Sequence, residues 1–221
     1  MKIRTREELV NAIDADFSWR KKELSVLLSM IHGSRGQSPA MEALLRCAVP
    51  ILYAHWEGFV KLAACSYLEY VGRKQVPYGE LSKAFAAWAL RSEIRKIGST
   101  QRVSNLLPAV DLLVDRLSEP SQLPWRGGVE TSNLNSEVFR DIVLSLGLDY
   151  SPYESREKLI DGTLLHYRNN IAHGRGMILD AGRYLDLQRE IVGLMEDFRT
   201  QIENAALLGH FSRSPARWAA V

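Results

Sequence analysis

An all-α fold follows from three observations on this 221-residue sequence. Apolar residues recur at spacings of three and four almost throughout. No run alternates apolar and polar residues over the length a strand or hairpin needs. Clusters of Gly, Ser, Pro and Asn interrupt the pattern where helices should stop. The length suits one sizeable core, so a single helical domain over residues 1–209 with a short basic tail over 210–221 is expected.

Each element has its own signal. Thr5 followed by Glu7 and Glu8 marks a helix start, and the periodicity continues to about Ile31. "HGSRGQSP" reads as a loop. A second long helix is predicted from Pro39 to Val71, with Pro50 a candidate kink or break. Leu52, Trp56, Val60 or Phe59, Ala63 and Tyr67 form its buried face. Shorter helices are expected near 79–89, 91–97 and 104–117, then the long loop "SEPSQLPWRGGVETSNLN" over 118–135. Helices at 136–146, 155–173 and 184–207 complete the chain, with 175–183 a connection and the end, "GHFSRSPARWAAV", frayed.

Composition narrows the function. Hydrophobic residues make up 46% and charged residues 24%, and the formal net charge of +2 supplies no global field for nucleic acid, so an anionic partner needs a local cluster. Cys47 and Cys65 form no CxxC pair and read as buried small hydrophobes in a reducing compartment. The N-terminus lacks the apolar run of a signal peptide, and Glu42, Arg46, His55, Glu57 and Lys61 interrupt the most apolar stretch. A cytoplasmic protein without a membrane span is expected. No HExxH, EF-hand or Gly-rich phosphate loop occurs, which argues against an ATPase or kinase and leaves neither a metal nor a cofactor expected.

The stretch "HYRNNIAHG", residues 166–174, stands apart. Ile160, Leu164, Tyr167 and Ile171 form a core-facing stripe, which puts His166, Asn169 and His173 on roughly the opposite face, with Arg168 at the flank. Gly174 suits the position just past a helix end. On spacing alone these residues read first as an ordinary polar helix end, where Arg and His complement the dipole.

"RNNIAH" places four residues between Arg168 and His173, the motif of the HEPN superfamily, and "YRNNIAHG" resembles its ribonuclease branches. Upstream, "DFSWRKKEL" (16–24) and "LYAHWEGFVK" (52–61) resemble the two earlier helices of a prokaryotic HEPN branch associated with toxin–antitoxin and phage-defence loci. The resemblance implies a bundle of long antiparallel helices with extra short ones. It also implies a homodimer with two motifs facing across a cleft, and metal-independent cleavage of RNA. An antitoxin protein is an implied partner. In that reading His173 moves protons, since imidazole titrates near neutral pH, and Arg168 answers the growing charge of the phosphate with a bidentate fork. Asn169 and Asn170 orient the histidine or hold phosphate, and His166 and Tyr167 are further candidates. The resemblance makes Glu57 a partner of Arg168 or His173, whereas spacing alone makes it an i, i+4 pair with Lys61. The alternative is a non-catalytic module that binds nucleotide or RNA or assembles a complex. Trp19 and Trp56 are expected as core anchors and His55 as structural; Trp125 with Arg126, and Arg213, Arg217 and Trp218, read as packed loop and tail before they read as RNA contacts.

Overall fold

The computed structural model describes residues 2–33, 38–97, 102–125, 128–176, 179–214 and 217–218. Among them there is no strand, and two isolated bridges, Pro77 to Pro120 and Leu81 to Ser212, are the extended pairings.

Helix α1 (Arg6–Gly33) begins in a reciprocal cap: Glu8 N–H donates to Thr5 Oγ1 at 3.1 Å and Thr5 N–H to the Glu8 carboxylate at 3.0 Å. The backbone N–H of Arg4, donating to the same carboxylate at 2.7 Å, and then that of Thr5 hold the Glu8 carboxyl below its ordinary range. Helix α2 (Pro39–Lys74) is capped by Ser38, whose hydroxyl accepts from Met41 N–H at 3.2 Å, with Pro39 in the first turn where its missing N–H costs nothing. Pro50 does not divide the helix, which runs through it from Pro39 to Lys74. The fully buried Val49 and Leu52 hold the flanking turns in place while Pro50 faces outward.

α1 and α2 run antiparallel, as the pairs Arg20 with His55, Phe17 with Phe59 and Ile3 with Glu69 show. Helix α8 (Ala181–Leu208) is antiparallel to α1 as well, since Gln188 reaches Leu24 and Arg199 reaches Asp14. α2 and α8 therefore run the same way, and the chain between them must cross back. It does so through α3 (Lys83–Ile97), α4 (Leu107–Val114), α5 (Ser136–Ser145), α6 (Glu157–Leu159) and α7 (His166–Ala172). The predicted helices near 79–89 and 91–97 are one helix after a short 3₁₀ turn, Tyr78–Glu80.

The predicted stripe of α2 is the core: Leu52, Trp56, Phe59, Val60, Ala63 and Tyr67 have no exposed surface. Each large side chain there contributes roughly 1.5–3 kcal/mol by leaving water. Trp56 packs edge-on against Phe139 of α5 at 4.8 Å, and Phe139 also meets Tyr153 at 4.9 Å and Phe198 of α8 at 5.5 Å. Phe139 thus ties the crossover to the long helices.

Four expectations need correction. Trp19 is no core anchor; it is 49% exposed and lies along the surface, edge-on to His55. Cys47 is exposed and Cys65 half-buried, because both sit on the outer face of α2. The tail from 210 does not fray where it is described: Phe211 is buried, Arg213 N–H donates to Glu80 O at 2.7 Å, and Arg217 pairs with Glu80 at 2.6 Å. Residues 155–173 are not one α-helix. A 3₁₀ stretch (Ser151–Arg156) leads into α6, then a π-helical stretch (Ile160–Leu165), then α7. Asp161 is drawn toward α5, where it accepts from the backbone N–H of Ser136 at 2.7 Å and from its hydroxyl, and Gly162 adds no side chain to the widened turn.

The 118–135 loop lies on the body of the protein. Leu123, Val129 and Leu134 are buried, and Gly128 O accepts from Arg91 at 2.6 Å. Trp125 packs as a loop anchor; Arg126 lies outside the described residues.

Candidate functional site

The motif helix closes in a defined way. His173 is the cap residue of α7, and Gly174 follows in the left-handed region at φ 68°. Gly174 N–H donates to Ile171 O at 3.0 Å and Arg175 N–H to Asn170 O at 2.9 Å, the nested pair of bonds that ends a helix through a left-handed residue. A side chain at 174 would be strained there, so glycine terminates the stretch. His173 is left exposed on the last turn, and among the described residues its imidazole has no hydrogen-bond partner.

Arg168 turns the other way, toward α2. Its guanidinium lies 4.8 Å from the centre of the Tyr53 ring and donates to Asn169 Oδ1 at 2.8 Å. Stacking on one side and a single hydrogen bond on the other fix the plane of the group and leave the rest of its fork available. Tyr53 is buried. Burial first, and then the Glu57 carboxylate beside it, push its phenol above the ordinary range, with Arg168 pulling weakly in the opposite direction. Glu57 therefore belongs to the surroundings of Arg168 through Tyr53. The i, i+4 pair with Lys61 is not formed among the described residues, and the charge of Lys61 acts on Cys65 and Glu130.

His166 is exposed, with Asn170 Nδ2 3.0 Å from its Nε2 and also donating to its carbonyl at 2.9 Å. Asn170 Oδ1 accepts from Arg175 at 3.3 Å, and Arg46 of α2 donates to Arg175 O at 2.9 Å. Tyr167 packs half-buried against the core, as the apolar stripe predicts. His166, Asn169, Asn170 and His173 thus share one helix end. Among the described residues, Arg168 and His173 are joined through Asn169, whose side chain holds the guanidinium and whose carbonyl accepts from His173 N–H at 3.0 Å.

Sequence reasoning missed Tyr53, Arg46 and Arg175. Arg175 stands one residue past the terminating glycine, so the closure itself was a signal that its side chain folds back on the helix end. Nothing in spacing links Tyr53 or Arg46 to a segment more than 110 residues later. Together Arg46, Arg168 and Arg175 surround a helix C-terminus, whose bare carbonyls favour cations, and make this end attractive to a phosphate. Among the described residues no group of three or more His, Cys, Asp or Glu is placed to hold a metal ion, and no helix is long and apolar enough to cross a membrane.

The upstream stretches meet in a second polar cluster. Asp16 accepts from Arg20 Nε at 2.6 Å and from Arg20 Nη2 at 3.2 Å, and both residues are buried. Arg20 also donates to His55 O at 3.3 Å, and Glu23 lies 3.0 Å from His55 Nε2. Gly58 makes room for this: a Cβ there would lie 2.8 Å from Arg20 Nη1. His55 is structural, as expected.

Comparison with curated proteins and with solved structures finds no match. The model of the MAE_28990-like HEPN family matches residues 9–211. That range takes in the α1–α2 cluster, the crossover and the motif helix together. The chain belongs to the MAE_28990-like HEPN family.

Proposed function

We propose that the chain is a metal-independent endoribonuclease that cleaves RNA by attack of a 2′-hydroxyl on the adjacent phosphate. The observation that carries this reading is an exposed imidazole, His173, without a hydrogen-bond partner among the described residues, on the same turn and a half as an Arg168 held by Tyr53 and Asn169. The 2′-oxygen bonds to phosphorus, the bond to the 5′-oxygen breaks, and one proton passes from the first oxygen to a base while another reaches the second. The products are a 2′,3′-cyclic phosphate and a 5′-hydroxyl. His173 takes part in these proton transfers, and Arg168 stabilises the crowded phosphate as its charge rises. Asn169 holds Arg168 in position, Asn170 links His166 to Arg175, and Glu57 with Tyr53 supports the guanidinium from below.

The chemistry needs two proton transfers, and a homodimer supplies a second imidazole. An apolar groove beside Ile171, lined by Pro39, Ala43, Cys47, Pro50 and Ile51, is the surface that supports this pairing, since burying it between copies sets two motif ends side by side. An enzyme of this kind harms its host when unrestrained, so a role as a toxin or phage-defence effector held by an antitoxin protein accompanies the proposal.

The test is a pair of oligonucleotides, one RNA and one with the 2′-hydroxyls replaced by hydrogen, incubated with the protein and a chelator. The proposal predicts cutting of the RNA alone, with 5′-hydroxyl ends. Cutting of both strands, or loss of activity on chelation, contradicts it. Binding of both strands with cutting of neither favours the non-catalytic module.

A further inference from the structure

We propose that a second cleft on α2 binds the phosphates of a single-stranded nucleic acid and continues the path of a substrate away from Arg168. The inference takes its substrate from the ribonuclease reading, but its binding chemistry stands on separate residues. The cleft, about 550 Å³ in volume, is bounded by Lys2, Lys61, Arg73 and Trp125, with Gly58 and Cys65 among its lining.

Its charge is local and positive. Lys2 and Lys61 are exposed, and among the described residues neither has an ion-pair partner. Arg73 shares its charge with Glu69 at 2.7 Å, and Arg20 in the floor is held by Asp16. The charge of Lys61 acts on the Glu130 carboxylate, and Glu57 stands one turn before Lys61 without forming an ion pair with it among the described residues. The two ammonium groups are therefore the cations an incoming phosphate finds available.

Two glycines shape the cleft. At Gly58 a Cβ would press on Arg20, and at Gly72 a Cβ would lie 2.6 Å from Trp125 Cε3. The indole accordingly packs against this turn of the helix with Arg73 5.5 Å from its centre, and as part of the cleft lining it offers an aromatic surface to an unpaired base.

Position supplies the link to the motif. Lys61 follows Glu57 by one helical turn, about 6 Å, on the same face of α2, and Glu57 lies beside the Tyr53 that carries Arg168. From Lys61 to Arg73 the helix rises about 18 Å. A cleft that long, with available ammonium groups at Lys2 and Lys61 and Trp125 against the far turn of α2 at Gly72, suits a chain of phosphates better than the phosphates of a single nucleotide.

The experiment measures binding of a labelled, fully 2′-O-methylated oligonucleotide, which cannot be cut by 2′-attack. Full-length wild type, the double variant Lys2→Ala/Lys61→Ala and Lys158→Ala, which removes an exposed charge of α6 outside the cleft, are compared across a salt series. Alkylation of Cys65 is followed in parallel, with Cys47 in the other groove as the control. The double variant should bind more weakly, and its dependence of log affinity on log salt should flatten by about 1.4, at about 0.7 per lost phosphate contact. Lys158→Ala should match wild type, and bound oligonucleotide should slow alkylation of Cys65 and not of Cys47. An unchanged salt slope in the double variant, or no protection of Cys65, overturns the inference. Equal displacement by a mononucleotide at matched phosphate concentration also overturns it, in favour of a free-nucleotide site. Binding that follows Lys2 and Lys61 without any cleavage of unmodified RNA supports the cleft and counts against the ribonuclease reading alone.

Discussion

Two clusters on α2 use the same residue types in opposite ways. In the first, Arg20 and His55 are buried, and each faces a carboxylate, Asp16 and Glu23. In the second, Arg168 is half-buried and stacked on Tyr53 without an ion pair among the described residues, and His173 is exposed with no hydrogen-bond partner. The first cluster joins α1 to α2, with its cation already neutralised by Asp16. The second leaves its donors and its imidazole open to a ligand. Saturation, more than the presence of arginine and histidine, separates a joint from a candidate site.

The largest effect expected from this contrast is on stability. Arg20→Ala leaves Asp16 buried without its cation and should cost about 3 kcal/mol. That is roughly a 10 °C fall in melting temperature for a chain of this size, read by thermal unfolding. Arg168→Ala, which removes no buried ion pair, should move the melting temperature far less. Equal losses at the two sites would erase the distinction between them.

A smaller effect sharpens it through pH. Burial is the main influence on His55 and holds its affinity for protons below the ordinary value; Arg20 acts the same way, while Glu23 and Asp16 oppose. The unfolded chain therefore binds this proton more readily than the folded one. The stability His55 contributes is present above its unfolded value of about 6.5 and is lost as pH falls through that value toward the lower folded one. Melting temperature should drop over this window in wild type, and the drop should shrink in His55→Gln. An identical pH profile in the variant would place the sensitivity elsewhere.

Much of the architecture was legible because it rests on periodicity. The stripe from Leu52 to Tyr67, the cap at Thr5 and the terminating Gly174 each act within a few residues, and each is where spacing put it. What escaped depends on contacts between distant segments. The π-helical stretch before α7 owes its shape to Asp161 reaching Ser136, 25 residues away. Tyr53 joins the site only because α7 packs across α2. Trp19 was misplaced because an indole that covers a buried cluster from outside carries the same periodicity as one inside it. The tail read as frayed because its anchors, Glu80 and Leu81, lie more than 130 residues upstream. The motif itself was legible as chemistry only through its resemblance to HEPN sequences; spacing alone left a polar helix end.

The measurement that bears most directly on this account is the rate of RNA cleavage, in chelator, by wild type, His173→Ala and Arg168→Ala, with the melting temperature of each recorded beside it. The account predicts that wild type cuts, that both variants lose about 100- to 10,000-fold in rate, and that both melt close to wild type. Variants that cut as fast as wild type, or that lose activity only in step with their stability, would contradict it.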